Sequence, residues 1–231
     1  MSLNGAMATL LVAAAAWTVL ALLFLYFRAK SYGKRKLFAK AAGGANSVRR
    51  GAIYAFTSGM LPWAKESVRE NLISYALGVA YHLGIFASFA LLARFIIYAF
   101  GRSFVFHLPH AVIALAQTLI VLSLCLGVIG GVSLLVKRAV NPVLRGISCP
   151  DDYISNILAT AAVALALASH LTPRAWLTQA WLITGIILLV YIPMGKMRHC
   201  LFFFITRYNL GAFFGRRGCM PPQSLGGGIG A

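Results

Sequence analysis

The sequence predicts an all-α integral membrane protein with five transmembrane helices in one bundle, and three observations lead to this class. Of the 231 residues, 60% are apolar and only 11% are charged, whereas soluble domains carry about 25% charged residues. The apolar residues form long runs of about 20 residues, the length that crosses a bilayer as a helix. Because these runs use most of the chain, no large extramembrane domain is left and a soluble globular enzyme is excluded.

The predicted spans form one membrane domain over residues 1–210. They cover residues 6–27, 71–100, 109–136, 153–171 and 176–207. A long basic loop, residues 28–70, joins the first two spans, and its part 51–68 is either a short amphipathic helix in the membrane interface, a docking segment or a solvated loop. Residues 211–231 are expected to form a flexible cytoplasmic tail, because residues 218–231 are rich in Gly and Pro. Span three carries Gly127 and Gly131 in a G-x-x-x-G spacing, which permits close helix packing.

The positive charge is distributed unevenly along the chain and predicts the orientation. The formal net charge is +17, from 21 Lys and Arg against four Asp and Glu. Eighteen of the 21 basic residues lie in 28–70, 137–145 and 196–217, which leaves only Arg94, Arg102 and Arg174 for the other side. The positive-inside rule therefore places the N-terminus outside and the C-terminus in the cytoplasm. Topology accounts for the charge, so nucleic-acid binding is not expected.

The four cysteines do not form a cofactor motif. Cys125, Cys149, Cys200 and Cys219 include no C-x-x-C pair. This spacing argues against an iron–sulfur cluster, a zinc knuckle or covalently attached haem in this chain. We therefore expect reduced, structural cysteines.

Two histidines inside predicted spans suggest a non-covalent haem. His82 lies roughly 16 Å deep in span two, at 1.5 Å per residue, and His199 lies toward the cytoplasmic end of span five. Because the two spans run in opposite directions, both imidazoles fall in the same half of the membrane. Two neutral imidazoles from different helices suit a low-spin haem b that carries electrons. The alternative is that each histidine only hydrogen-bonds a neighbouring helix.

The residues around these histidines fit the same interpretation. Gly78 and Gly195 each precede a candidate ligand by four residues, so each clears side-chain bulk from the face that presents the imidazole. Lys196 and Arg198 flank His199 and could pair with the haem propionates. The same two basic residues are equally explained as anchors on the cytoplasmic side.

The other three histidines are weaker candidates. His107 and His110 lie in the short outer loop before span three, and two histidines alone make a poor metal site because structural zinc takes four ligands. His170 ends span four at the outer surface, where it either contacts a quinone or has no function. Lys137 and Arg138 are further candidates for the quinone side.

Three stretches resemble the gamma subunit of respiratory nitrate reductase and its relatives, which are five-span cytochromes b that exchange electrons with quinone. They are Tyr81–Ile85 in span two, Leu124–Arg145 at the end of span three, and Ile192–His199 followed by FFFITRY. Their order and spacing, together with the five spans, extend the resemblance over residues 1–210. The family binds two haems b between spans two and five. His82 and His199 match the cytoplasmic-side pair, whereas the outer pair falls at Leu92 and Trp181, which cannot bind iron.

The resemblance therefore implies one haem b and puts the outer quinol site of the family in doubt. Within the family, the chain looks most similar to small membrane subunits of the Hmc, Tmc and Dsr redox complexes of sulfate-reducing bacteria. The segments Gly59–Trp63 and Phe214–Gly218 carry this finer resemblance. It implies a cytoplasmic iron–sulfur partner of the heterodisulfide-reductase type, other membrane subunits, a periplasmic multihaem cytochrome c and possible use of menaquinone.

The resemblance thus implies a subunit of the bacterial inner membrane that relays electrons between quinone and a cytoplasmic iron–sulfur partner. A cofactor-free structural anchor of such a complex is the alternative. A small transporter is the third candidate, and it is disfavoured because no acidic residue lies clearly within a span.

Overall fold

The computed structural model describes residues 3–33, 42, 44, 46–64, 70–100 and 109–220, and within these ranges the secondary structure is helical, without strands. The α-helices are α1 (Leu3–Ser31), α2 (Ser47–Phe56), α3 (Leu72–Ala99), α4 (His110–Val140), α5 (Pro142–Ile147), α6 (Pro150–Leu171), α7 (Ala175–Tyr191) and α8 (His199–Arg216). Short 3-10 turns occupy Ser58–Met60, Pro62–Ala64 and Lys196–Arg198.

Four of these helices are long and apolar enough to cross a membrane, namely α1, α3, α4 and α6. The pair formed by α7 and the segment ending in α8 gives a fifth candidate if the two are one broken span. The all-α class predicted from the sequence is therefore confirmed, and four to five apolar helices are consistent with a multi-pass membrane protein.

The structure differs from the sequence prediction at span five, which is interrupted rather than continuous. α7 ends at Tyr191, and the next α-helix begins at His199. Pro193 explains the break, because proline has no N–H to donate to the carbonyl of Leu189 and its ring clashes with that turn. The backbone N–H groups of Met194 and Gly195 instead turn back to the Tyr191 carbonyl, both at 3.0 Å.

Helix α1 supplies hydrogen bonds to the carbonyls that this break releases. The Thr18 hydroxyl donates to the Leu189 carbonyl at 2.5 Å. The Trp17 indole N–H donates to the Val190 carbonyl at 3.2 Å. Since an unpaired backbone carbonyl is costly away from water, these two side chains stabilise the end of α7 and fix α1 against it.

The described chain divides into two compact units. Residues up to Phe24 together with Ile73–Met197 form the first unit, and Leu25–Leu72 together with the chain from Arg198 onward form the second. The core of the first unit is apolar and comes from α1, α3, α4, α6 and α7. Its largest cluster of buried residues is Leu11, Leu91, Leu92, Leu124, Val163, Ala166, Trp181 and Leu182.

Glycines bring the helices of the first unit into backbone contact. A Cβ added to Gly84 of α3 would lie 2.5 Å from the Cα of Gly127 in α4. A Cβ added to Gly131 would collide with the Thr160 side chain and lie 2.7 Å from the Tyr81 ring. The close packing predicted for Gly127 and Gly131 is therefore confirmed, and the two glycines serve different contacts.

The second unit is built on the pair α2 and α8. A Cβ on Gly51 would lie 2.6 Å from the Cα of Gly215, so these helices also meet through glycines. The Phe56 and Phe204 rings stack with centroids 6.3 Å apart. Part of the predicted amphipathic segment 51–68 is thus helical and packed, whereas residues 65–69 lie outside the described residues.

The first part of the flexible tail predicted for residues 211–231 is helical instead. Residues 211–216 form the end of α8. Residues 221–231 lie outside the described part of the chain.

Candidate functional site

His82 lies on an exposed face of α3 and is oriented by its own helix. Its Nδ1 atom is 2.7 Å from the carbonyl oxygen of Gly78, one turn earlier. Because a carbonyl only accepts, this hydrogen bond requires the proton on Nδ1, and in the neutral ring Nε2 then carries the lone pair. Histidines that bind a metal commonly donate the other ring N–H to a carbonyl in this way.

Gly78 lies on the same face as His82, and its surroundings are open. A Cβ built on Gly78 meets no described atom within 4 Å. Helix packing within the first unit therefore does not require glycine at this position, in contrast to Gly84, where an added Cβ would lie 2.5 Å from a backbone atom. The open position beside an oriented imidazole fits the haem plane that the sequence predicts there.

The surroundings of Gly195 differ from those of Gly78. Gly195 lies in the turn after α7, outside any α-helix, so the one-turn spacing expected before His199 is not formed. An added Cβ would lie 2.6 Å from the Tyr191 ring and 2.9 Å from Asp151 Oδ1. Packing in this turn therefore accounts for the glycine without a cofactor.

Lys196, predicted to face a haem propionate, already has carboxylate partners. Its backbone N–H donates to Asp151 Oδ2 at 2.8 Å, and its Nζ donates to Asp152 Oδ2 at 2.6 Å. The Tyr191 hydroxyl also donates to Asp151. These contacts tie the turn after α7 to the first turn of α6.

His199 is the first residue of α8, and Arg198 ends the 3-10 turn before it; both side chains are exposed. They lie in the second unit, whereas His82 and Gly78 lie in the first. The pairing of His82 with His199 as two axial ligands therefore stays a prediction from the sequence.

The positions expected for an outer ligand pair belong to the core of the first unit. Leu92 is 3% exposed and Trp181 is 6% exposed. A Cβ on Gly185 would lie 3.0 Å from Leu92 Cδ1, so the leucine packs directly on α7. The indole N–H of Trp181 is 3.4 Å from the hydroxyl oxygen of Ser88. Both side chains thus fill the space between α3 and α7.

Lys137 and Arg138, two of the three candidates for the quinone side, are engaged by other side chains. The Lys137 ammonium donates to the Ser74 hydroxyl. Arg138 donates to Ser148 at 2.9 Å and forms an ion pair with Asp152 at 3.2 Å. These contacts give both residues structural partners at the end of α4.

His170, the third candidate, lines a cavity of about 260 Å³ in the first unit. The cavity lies among α3, α6 and α7, and its polar lining comes from Arg94, Tyr98, Ser169, His170 and Thr178. Leu91, Phe95 and Trp181 supply the apolar wall. We call this space the Arg94 cavity. The sequence had identified Arg94 only as one of three basic residues on the outer side of the membrane.

Among the described residues, no group of three or more His, Cys, Asp or Glu could hold a metal ion. His110 is exposed at the start of α4, and its predicted neighbour His107 lies outside the described part of the chain. The four cysteines are unpaired thiols.

The polar cluster around Asp151 and Asp152 was not predicted from the sequence. Asp152 also accepts the backbone N–H of Cys149 at 3.0 Å, so it caps α6 while pairing with Arg138 and Lys196. The composition could have indicated this cluster, since Asp151 and Asp152 are two of only four acidic residues in a chain with 21 basic ones. With so many basic residues, each carboxylate is expected to form an ion pair.

Comparisons with known proteins give no match. No family model, curated protein or solved structure matches the chain significantly.

Proposed function

We propose that this chain is a membrane electron-transfer subunit that binds one haem b with His82 and His199 as axial ligands. The observation that carries the proposal is the hydrogen bond from His82 Nδ1 to the Gly78 carbonyl at 2.7 Å. It orients the ring with the proton on Nδ1, which is the tautomer that binds haem iron through Nε2, and the neighbouring Gly78 position meets no described atom when a Cβ is added. When bound, haem b supplies a reversible one-electron couple.

The protein residues have distinct tasks in this proposal. Gly78 orients His82 through its carbonyl and gives the porphyrin room. Arg198, rather than Lys196, is the better partner for a propionate, because the Lys196 ammonium already pairs with Asp152 at 2.6 Å. The quinone contact, with menaquinone as the expected type, is assigned to His170 before Lys137 and Arg138, which have protein partners.

The proposed setting is the bacterial inner membrane, with the N-terminus outside and the basic segments in the cytoplasm. Residues 25–72 and 198–231 hold fourteen of the 21 basic residues and two of the four acidic ones. Such a positive unit suits docking of a cytoplasmic iron–sulfur subunit of the heterodisulfide-reductase type. Other membrane subunits and a periplasmic multihaem cytochrome c would complete a complex of the kind found in sulfate reducers.

A cofactor-free membrane anchor is the second candidate, and one observation favours it. Gly195 and Lys196 are both accounted for by contacts with Tyr191, Asp151 and Asp152. Two of the residues near His199 that suggested haem, Gly195 and Lys196, are therefore explained by packing and ion pairing within the chain.

Haem content separates the two candidates. The full chain, expressed with its membrane partners in haem-replete cells, is purified and its haem b is counted as the pyridine haemochrome. The variants are His82→Ala and His199→Ala, and His110→Ala is the matched control because His110 is an exposed histidine outside the proposed site.

We expect one haem b per wild-type chain, full retention in His110→Ala, and loss of that haem in each ligand variant. Equal haem in all four proteins would refute the assignment of the ligands. No haem attributable to the wild-type chain would favour the anchor.

A further inference from the structure

The Arg94 cavity lies close to one end of the helices that form it. Arg94 is five residues before Ala99, the last residue of α3, and His170 is the penultimate residue of α6. Thr178 is the fourth residue of α7. At 1.5 Å per residue, each of these side chains starts within about 8 Å of a helix end. For membrane-spanning helices this is the depth of the lipid headgroups and not of the bilayer centre.

The lining carries positive charge and no carboxylate. Asp151 and Asp152 start α6, about 28 Å along that helix from His170, and both already pair with basic or hydroxyl groups. The other two acids, Glu66 and Glu70, precede α3, and Arg94 lies about 33 Å along α3 from its first residue. Residues 101–108 contain no acidic residue.

Arg94 is exposed, and its guanidinium has no hydrogen-bond or ion-pair partner among the described residues. It is therefore available to an anion from outside the chain. A guanidinium offers two parallel N–H groups, which match two oxygens of a phosphate. The neighbouring Tyr98 hydroxyl and His170 imidazole are further hydrogen-bond donors on the lining.

We propose that the Arg94 cavity binds the phosphate group of an anionic phospholipid, with Arg94 as its ion-pair partner. The cavity volume of about 260 Å³ admits a headgroup and not a whole lipid. The acyl chains would then run along the exposed apolar surface of α3, where Ile97 is 44% exposed. Leu91, Phe95 and Trp181 line the apolar side of the cavity and suit the glycerol end of the lipid. The proposal does not depend on haem binding, and it replaces the quinone contact proposed for His170, because a cavity of this size holds one of the two ligands.

Native mass spectrometry of the full-length chain in detergent tests this site with phosphatidylglycerol as the probe. Wild type is compared with Arg94→Gln, which removes the charge, and with His170→Gln. Arg174→Gln is the matched control, because Arg174 is an exposed arginine at the start of α7 that does not line the cavity. Inorganic phosphate and a menaquinone analogue serve as competitors, and thermal unfolding without lipid checks that each variant is folded.

We expect one phosphatidylglycerol to be retained by wild type and Arg174→Gln, and at least a tenfold weaker affinity in Arg94→Gln. A weaker affinity in a folded His170→Gln would support the site even if Arg94→Gln did not fold. Equal retention in all variants would overturn the proposal. Displacement by millimolar inorganic phosphate would overturn the lipid as the source of the anion, and displacement by the menaquinone analogue alone would assign the cavity to a quinone.

Discussion

Gly84→Ala should destabilise the protein and Gly78→Ala should not, although both glycines lie on α3 only six residues apart. A Cβ on Gly84 would lie 2.5 Å from the Cα of Gly127 and 3.0 Å from the Ser123 carbonyl oxygen. A Cβ on Gly78 would meet no described atom within 4 Å. The two substitutions are chemically identical, so their difference isolates the contact between α3 and α4.

The magnitude follows from the geometry. Carbon atoms pack at about 3.5–4.0 Å, so Gly84→Ala must separate the two backbones by about 1 Å. A gap of about 1 Å forfeits a quarter to a half of the dispersion energy of each affected contact, and overpacking costs about 1–3 kcal/mol. Replacing a helical glycine by alanine raises the free energy of unfolding by about 0.5–1 kcal/mol. We therefore expect Gly84→Ala to lower the free energy of unfolding by about 1–2 kcal/mol. Gly78→Ala should leave it unchanged or raise it slightly.

Reversible unfolding in mixed micelles, titrated with SDS and followed by circular dichroism, measures the free energy of unfolding of both variants. A Gly84→Ala protein as stable as Gly78→Ala would refute the close contact between α3 and α4. If the porphyrin lies over Gly78, the order of the two variants is reversed for haem binding. Gly78→Ala should then lose more haem than Gly84→Ala.

Three further predictions concern other contacts. Thr18→Val should lower the free energy of unfolding by about 1–3 kcal/mol, because it leaves the Leu189 carbonyl unpaired. Thr9→Val should lower it less, because the Thr9 hydroxyl donates to a carbonyl of its own helix. SDS titration of both variants measures the difference. Asp152→Asn should lower the SDS concentration at the midpoint of unfolding, since both ion pairs of this carboxylate are lost; an unchanged midpoint would contradict this. Gly211→Ala should speed amide hydrogen exchange in α2, because the added Cβ would lie 2.8 Å from a Cα of that helix; unchanged exchange in α2 would argue against the α2–α8 contact.

Composition and run length were sufficient to predict the helical spans, because a membrane helix needs little more than length and apolarity. The break in span five could also have been predicted, since Pro193 lacks a backbone N–H in the middle of that apolar segment. The segment was predicted as one continuous span because the residues on both sides of Pro193 are apolar. The use of Trp17 and Thr18 to cap α7 was not predictable, because it depends on contacts between residues more than 170 positions apart.

The candidate site was predictable only in part. Four-residue spacing identified Gly78 and His82 correctly as neighbours on one turn, and the hydrogen bond between them follows from helix geometry. The same spacing misled at Gly195, because the segment before His199 is not α-helical. The Arg94 cavity requires the ends of three helices to meet, and no local pattern encodes such a meeting.

Electron paramagnetic resonance of the oxidised full-length protein is the sharpest test of axial haem b ligation by two histidines. We expect a low-spin ferric signal typical of two imidazole ligands, with one haem per chain, and loss of this signal in His82→Ala. A high-spin signal, or a low-spin signal that survives His82→Ala unchanged, would contradict ligation by His82.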